Sequence, residues 1–82
     1  MRLGEMYMEL AVFLEEFQDV LQRDEAITPD LPLAAIEEWD SLAVMGTIAF
    51  FDKRFGIRLT FASFKDLSTV EDIIALSKGA VT

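Results

Sequence analysis

The 82-residue sequence contains no cysteine and no histidine. Without cysteine the chain has no disulfide, no thiolate metal ligand and no cysteine nucleophile. Without histidine it lacks the side chain that most often acts as a general base near neutral pH and as a metal ligand. We therefore expect a protein that is not an enzyme and that has neither catalytic residues nor a metal site.

Basic side chains are scarce, with 7 against 15 acidic ones and a formal net charge of −8. A nucleic-acid-binding protein needs a basic surface that displaces counterions from phosphates, so we expect no nucleic-acid partner. The charge is uneven, because residues 1–40 contain 11 acidic and 2 basic side chains. This acidic half should attract basic surfaces at a rate that depends on salt.

Long apolar runs are also missing. No segment approaches the roughly 20 apolar residues that a membrane helix requires. The first ten residues include Glu5 and Glu9 and lack the apolar core of a secretory signal. We expect a cytoplasmic protein without membrane insertion, folded as a single domain over residues 1–82.

The first 39 residues divide into a helix and a loop. Apolar side chains recur at helical spacing from Glu5 to Gln22, which predicts a long amphipathic helix. Residues 23–39 contain both prolines and predict a long loop, with one short turn near Leu33 to Ile36. So long a loop is uncommon in a small domain and favours a functional role.

The remaining residues predict three further helices. Asp40 has the features of an N-cap for a second helix that runs to about Phe55 and ends at Gly56. A short third helix is predicted after Thr60. A last helix, which begins with a capping box at residues 68–71, is predicted to run to about Lys78. The predicted fold class is all-α, a four-helix bundle of three main helices and a short third one.

The second predicted helix has no charged residue from Ser41 to Phe51. A helix that is apolar on all sides is normally buried, but so small a bundle has too little protein to cover every side. Two interpretations stay open: an exposed face for docking a partner, or a central helix covered by the long loop. The candidate docking residues are Trp39, Ala43, Val44, Met45 and Gly46.

Two of these candidates have an alternative intramolecular explanation. Gly46 in a helix interior indicates the close approach of another backbone, either that of the first helix or that of a partner. Trp39 precedes the helix and either packs the loop onto it or contacts a partner. The sequence does not decide between these possibilities.

The start of the second helix holds the candidate site. Ser41 follows Asp40 at the first turn, where unpaired backbone N–H groups and the positive end of the helix dipole favour a phosphate ester. An Asp-Ser pair at a helix start is by itself typical of ordinary capping. Its context favours a modification site over ordinary capping. The segment Glu38-Trp39-Asp40-Ser41-Leu42 resembles the phosphopantetheine attachment motif of acyl carrier proteins, whose core is Asp-Ser-Leu. The resemblance covers roughly residues 5–78.

What the resemblance implies is a cofactor and a set of partners. Such proteins are four-helix bundles in which a phosphopantetheinyl transferase moves 4′-phosphopantetheine from coenzyme A onto the motif serine, here Ser41. Asp40 and Leu42 flank that serine at the cofactor site. The arm's thiol carries its cargo as a thioester, loaded by an acyl or aminoacyl ligase and used by downstream transferase or synthase enzymes. A carrier of this kind is expected to be monomeric.

The sequence also departs from this family. Carriers of fatty acid synthesis usually place acids along the second helix, whereas only Asp52 is acidic there, so we expect apolar docking and a specialised lipid, polyketide or related pathway. Phe61 and Phe64 should shrink the cavity between the second and third helices, which favours a short, polar or aminoacyl cargo. The alternatives are an aminoacyl, D-alanyl or peptidyl carrier, and an unmodified helical adaptor. A calcium loop is disfavoured, because residues 24–30 lack its alternating ligands and turn glycine.

Overall fold

The computed structural model describes residues 7–82. It contains three α-helices and two short 3₁₀ helices, in the order α1 (Leu10–Leu21), a first short helix (Leu33–Ala35), α2 (Ser41–Phe55), a second short helix (Phe61–Phe64) and α3 (Val70–Ala75). The described residues form no strand beyond two isolated bridges, so the predicted all-α class is confirmed. The four-helix bundle is not confirmed, because the predicted third helix is one 3₁₀ turn of 4 residues.

The first helix begins later than predicted, at Leu10 instead of Glu5. The backbone before it is extended, because the Met8 N–H donates to the Ala80 carbonyl at 2.8 Å and the Thr82 N–H donates to the Met8 carbonyl at 2.9 Å. These bonds hold the segment beside the chain's C-terminal residues. The apolar periodicity of the sequence does not reveal such a long-range pairing.

The rest of α1 follows the sequence pattern. Phe13, Phe17 and Leu21 lie on its buried side. The helix ends at Leu21, one residue before the predicted limit, since Gln22 takes a left-handed conformation with φ 54°. Met6, an apolar residue within the predicted helix, lies outside the described residues.

Local signals determine both ends of α2. The Asp40 side chain accepts a hydrogen bond from the Ala43 N–H at 2.9 Å, which confirms the predicted N-cap. Lys53 and Arg54 lie in the last turn, next to the negative end of the helix dipole. Gly56 follows with φ 66°, a left-handed conformation that glycine adopts without strain.

The second short helix and α3 are both capped. The Ser63 hydroxyl accepts from the Thr60 N–H at 3.0 Å, as expected for a turn that begins after Thr60. The cap of α3 lies one residue later than predicted. Thr69, instead of Ser68, is the N-cap, and a carboxylate oxygen of Asp72 accepts from the Thr69 N–H at 3.0 Å.

The last helix is shorter than predicted, since α3 ends at Ala75 and not near Lys78. The Ser77 N–H donates to the Ile74 carbonyl at 3.0 Å, and the Lys78 N–H donates to the Ala75 carbonyl at 3.1 Å. These bonds span three residues, so the chain tightens into 3₁₀-like turns before Gly79.

The buried apolar residues form one core between the helices. All phenylalanines except Phe61 are buried, and several of their rings meet edge to face, as Phe51 does with Phe13 and with Phe55. Thr47 is the buried polar residue of α2, and its hydroxyl donates to the Ala43 carbonyl at 2.8 Å. This packing places the start of α2 beside the end of α1.

Candidate functional site

Ser41 is the first residue of α2 and is exposed to solvent. The Asp40 cap satisfies one of the backbone N–H groups that lack an intrahelical acceptor in the first turn. The remaining N–H groups and the positive end of the helix dipole surround the position. A phosphodiester on the Ser41 Oγ fits these surroundings, because a negative charge is stabilised at a helix N-terminus.

An ion pair fixes the loop just before this serine. The Arg23 Nη1 donates to a carboxylate oxygen of Glu38 at 2.8 Å, and the Arg23 side chain is only 9% exposed. The hydrogen bond from Arg23 is the main reason that the pKa of Glu38 lies below its ordinary value. The Gln18 side chain donates to the Arg23 carbonyl at 3.0 Å and so ties the same loop to α1.

The sequence alone does not predict this pair. Arg23 and Glu38 are separated by 15 positions in an irregular segment, where no periodicity relates one residue to the other. One signal was available, because Arg23 is the single basic residue between residues 3 and 52. A lone cation in so acidic a segment indicates a specific carboxylate partner.

Trp39 packs inside the molecule. Its ring lies 6.1 Å from that of Phe17 in α1 and 5.9 Å from that of Phe64 in the second short helix, measured between centroids. The residue is half-buried against the core. This geometry favours the packing explanation, in which Trp39 anchors the loop that precedes Ser41.

The other predicted docking residues divide between the two sides of α2. Ala43 is only 7% exposed and faces the core, so its assignment to a docking surface is not supported. Val44 is half-buried, while Met45 is 55% exposed. Leu42, which was predicted to lie at the cofactor site and not among the docking residues, is 75% exposed. Leu42 and Met45 form an exposed apolar face beside Ser41.

Gly46 makes its close approach within the molecule. A Cβ atom built on it would lie 3.1 Å from the Cγ1 of Val20 in α1. That distance is tighter than an ordinary contact, so the missing side chain lets the two helices come together. The intramolecular explanation accounts for Gly46 without a partner.

Phe61 and Phe64 differ in position. Phe64 is buried against Trp39, as predicted for a residue that fills the space beside α2. Phe61 is 54% exposed and fills no interior space, so the prediction is wrong for this residue. Its exposure adds an apolar ring to the surface of the second short helix.

Within residues 7–82, no three or more carboxylates lie close enough together to form a metal site. None of the helices in this same range combines the length and the apolar composition needed to cross a membrane.

Comparison with known protein families gives a match over most of the chain. A family model described as the phosphopantetheine attachment site matches residues 11–77, which include α1, α2, α3 and both short helices apart from the first residue of α1. Proteins of that family covalently hold 4′-phosphopantetheine on a serine. No curated protein and no solved structure matches the chain significantly.

Proposed function

The chain belongs to the phosphopantetheine attachment-site family, and on this basis we propose that it is an acyl carrier protein modified on Ser41. The observation behind the assignment is the exposed position of Ser41 at the start of α2, directly after the Asp40 cap. Modification joins the Ser41 Oγ to phosphorus as the pyrophosphate bond of coenzyme A breaks. The serine loses its proton, and adenosine 3′,5′-bisphosphate leaves.

The other serines are less suitable. Ser77 is buried, and its hydroxyl accepts from the Val81 N–H. Ser63 is half-buried and caps the second short helix. Ser68 is exposed, but it precedes the N-cap of a helix of only 6 residues. Ser41 alone among the four serines combines exposure with the first position of a long helix.

The two neighbours of Ser41 have separate roles in this proposal. Asp40 caps α2 and presents a carboxylate to the metal-containing site of the phosphopantetheinyl transferase. Leu42 offers an exposed apolar side chain beside the attachment point. The chain's own residues thus supply the acceptor oxygen, a fixed helix start and an apolar contact, while the arm supplies the thiol that holds the cargo as a thioester.

Partner docking is assigned to the exposed apolar face of α2. Leu42 and Met45 are three residues apart, so they lie on one side of the helix and next to Ser41. The partners are the transferase, an acyl-loading ligase and downstream transferase or synthase enzymes of a specialised lipid, polyketide or related pathway. The carrier shuttles between them as a cytoplasmic monomer and catalyses no reaction itself.

The alternatives concern the cargo and the modification. An aminoacyl, D-alanyl or peptidyl carrier would use the same Ser41 attachment and a different loading ligase. An unmodified adaptor would use the exposed Leu42, Met45 and Phe61 side chains without any arm. The mass of the protein after treatment with coenzyme A and a phosphopantetheinyl transferase distinguishes the adaptor from every carrier, because only a carrier gains the arm.

The test is modification in vitro. The protein is incubated with coenzyme A, magnesium and a broad-range phosphopantetheinyl transferase, and its intact mass is then measured. We expect the gain of one phosphopantetheine group in the wild type and in Ser68→Ala, and no gain in Ser41→Ala. An unchanged wild-type mass, with a transferase that modifies a known carrier in parallel, would overturn the proposal.

A further inference from the structure

The segment that joins α1 to α2, residues 22–40, is held at its middle by the start of α3. The Leu33 N–H donates to the Ser68 carbonyl at 2.9 Å, and the Val70 N–H donates to the Leu31 carbonyl at 3.0 Å. These bonds lie eight or more residues before Ser41. The backbone that leads into α2 therefore depends on other contacts.

The ion pair of Arg23 and Glu38 supplies such a contact, because it joins the two ends of the segment. Arg23 lies two residues after the end of α1, and Glu38 lies three residues before Ser41. The Arg23 N–H donates to the Gln18 carbonyl at 3.1 Å, and the Arg23 carbonyl accepts from the Gln18 side chain at 3.0 Å. The guanidinium that binds Glu38 is thus held in place by α1.

The two residues between Glu38 and Ser41 are anchored as well. Trp39 packs on α1 and on the second short helix, and Asp40 caps α2. Three consecutive residues before the serine thus each contact a different part of the molecule. The backbone that carries the exposed Ser41 hydroxyl is consequently preorganised before any partner binds.

The two members of the ion pair differ in their exposure. The Arg23 side chain is 9% exposed, whereas that of Glu38 is 33% exposed. An effect of Arg23 on the modification of Ser41 must therefore pass through the loop and not through contact with a partner. A buried ion pair gains little net stability, because desolvation of both charges offsets their attraction. Its effect on the loop conformation can thus be separated from its effect on stability.

We propose that Arg23 and Glu38 are positioning residues for the modification of Ser41. This inference rests on the proposed carrier function, in which the phosphopantetheinyl transferase binds the start of α2. The pair keeps residues 38–41 in the conformation that the transferase binds. Without the pair this conformation is populated for only part of the time, so the apparent affinity falls by that fraction while the chemical step is unchanged.

The experiment measures steady-state modification at saturating coenzyme A, with the concentration of the unmodified protein varied and intact mass as the readout. Glu38→Gln and Arg23→Met each break the pair. We expect both to raise the KM for the protein and to leave kcat unchanged. A competent population of about one tenth would raise KM about tenfold. Glu25→Gln changes the exposed second neighbour of Arg23 and should retain the wild-type KM.

A double variant separates positioning from stability. Arg23→Met/Glu38→Gln has no unpaired charge at this place, so its Tm should recover towards that of the wild type while its KM stays high. Ile73→Val is the opposite control, because this buried change in α3 should lower the Tm and leave KM unaltered. Should a single variant fail to fold, the double variant and Ile73→Val decide the question.

The results distinguish the two proposals. Failure of the wild type to gain mass would overturn both the carrier function and this inference. A wild-type mass gain with an unchanged KM in Arg23→Met would overturn only the positioning role. If KM rises in Glu38→Gln alone, the Glu38 carboxylate contacts the transferase directly. A KM that follows the Tm across all the variants would also overturn the positioning role, because the pair would then act through stability.

Discussion

The guanidinium of Arg23 donates to the carboxylate of Glu38 at 2.8 Å, and this contact joins the end of α1 to the residue three positions before Ser41. Arg23 is almost fully buried, whereas Glu25, its second carboxylate neighbour at 3.5 Å, is 83% exposed. The buried Nε of Arg23 has no hydrogen-bond partner among the described residues. Glu38 is therefore the main acceptor that compensates the buried charge.

Replacement of Glu38 should consequently destabilise the protein. Glu38→Gln leaves the buried guanidinium without its charged acceptor, so we expect a lower Tm and a lower urea midpoint. Glu25→Gln is the matched control, and its effect should stay within about 0.5 kcal/mol because the group is exposed. Equal effects of the two substitutions would contradict the central role of the Glu38 contact.

The same contact predicts a pH dependence. Hydrogen bonding to Arg23 lowers the pKa of Glu38, and the backbone N–H groups of Ser68 and Thr69 lower that of Asp72. A carboxyl whose pKa is lower in the folded state adds stability that is complete above its unfolded pKa, about 4 for these residues. That stability is lost as pH falls through the folded value.

The measurement is urea unfolding between pH 7 and pH 3 for the wild type and for Glu38→Gln. The difference in the free energy of unfolding should be constant from pH 7 to about pH 5 and should shrink as the pH falls below the unfolded pKa of about 4, because the unfolded state takes up the Glu38 proton before the folded state does. A difference that grows on acidification would show that the pKa of Glu38 is not lower in the folded state than in the unfolded state.

The parts of the fold that the sequence predicted depend on local interactions. The bounds of α2 follow from Asp40 at its start, Lys53 and Arg54 in its last turn, and Gly56 after it. Each of these signals acts within one turn of the residue concerned. Ser41 could be placed at the start of a helix for the same reason.

The parts that the sequence missed depend on distant contacts. The start of α1 is set by bonds between Met8 and the last residues of the chain, more than 70 positions away. Likewise, no local pattern shows that Phe64 packs on Trp39 while Phe61 faces solvent.

The two roles of Asp40 can be separated by substitution. Asparagine caps a helix about as well as aspartate, so Asp40→Asn should retain the wild-type stability within a few tenths of a kcal/mol. Asp40→Ala removes the acceptor of the Ala43 N–H and should cost about 1 kcal/mol. Both variants lack the carboxylate, so both should be modified more slowly on Ser41 by the phosphopantetheinyl transferase.

The rate of mass gain and the urea midpoint are measured on the same samples. If Asp40→Asn gains mass at the wild-type rate, capping is the sole contribution of Asp40. The same conclusion follows if Asp40→Ala is modified slowly and Asp40→Asn is not, because only Asp40→Ala loses the cap.

The two phenylalanines of the second short helix should differ strongly in their effect on stability and on docking. Phe64 is buried against Trp39, so Phe64→Ala should cost about 3–5 kcal/mol, a large part of the stability of so small a domain. Phe61→Ala removes an exposed ring, and the free energy of unfolding should change by no more than about 0.5 kcal/mol. If Phe61 contacts partner enzymes, this variant should still be modified on Ser41 and yet bind the loading ligase more weakly. Urea unfolding of both variants measures the two changes in stability. Titration of the holo form of Phe61→Ala with the ligase measures binding, and Ala62→Val is the exposed control. Substantial destabilisation by Phe61→Ala would show that the ring packs against the core in solution.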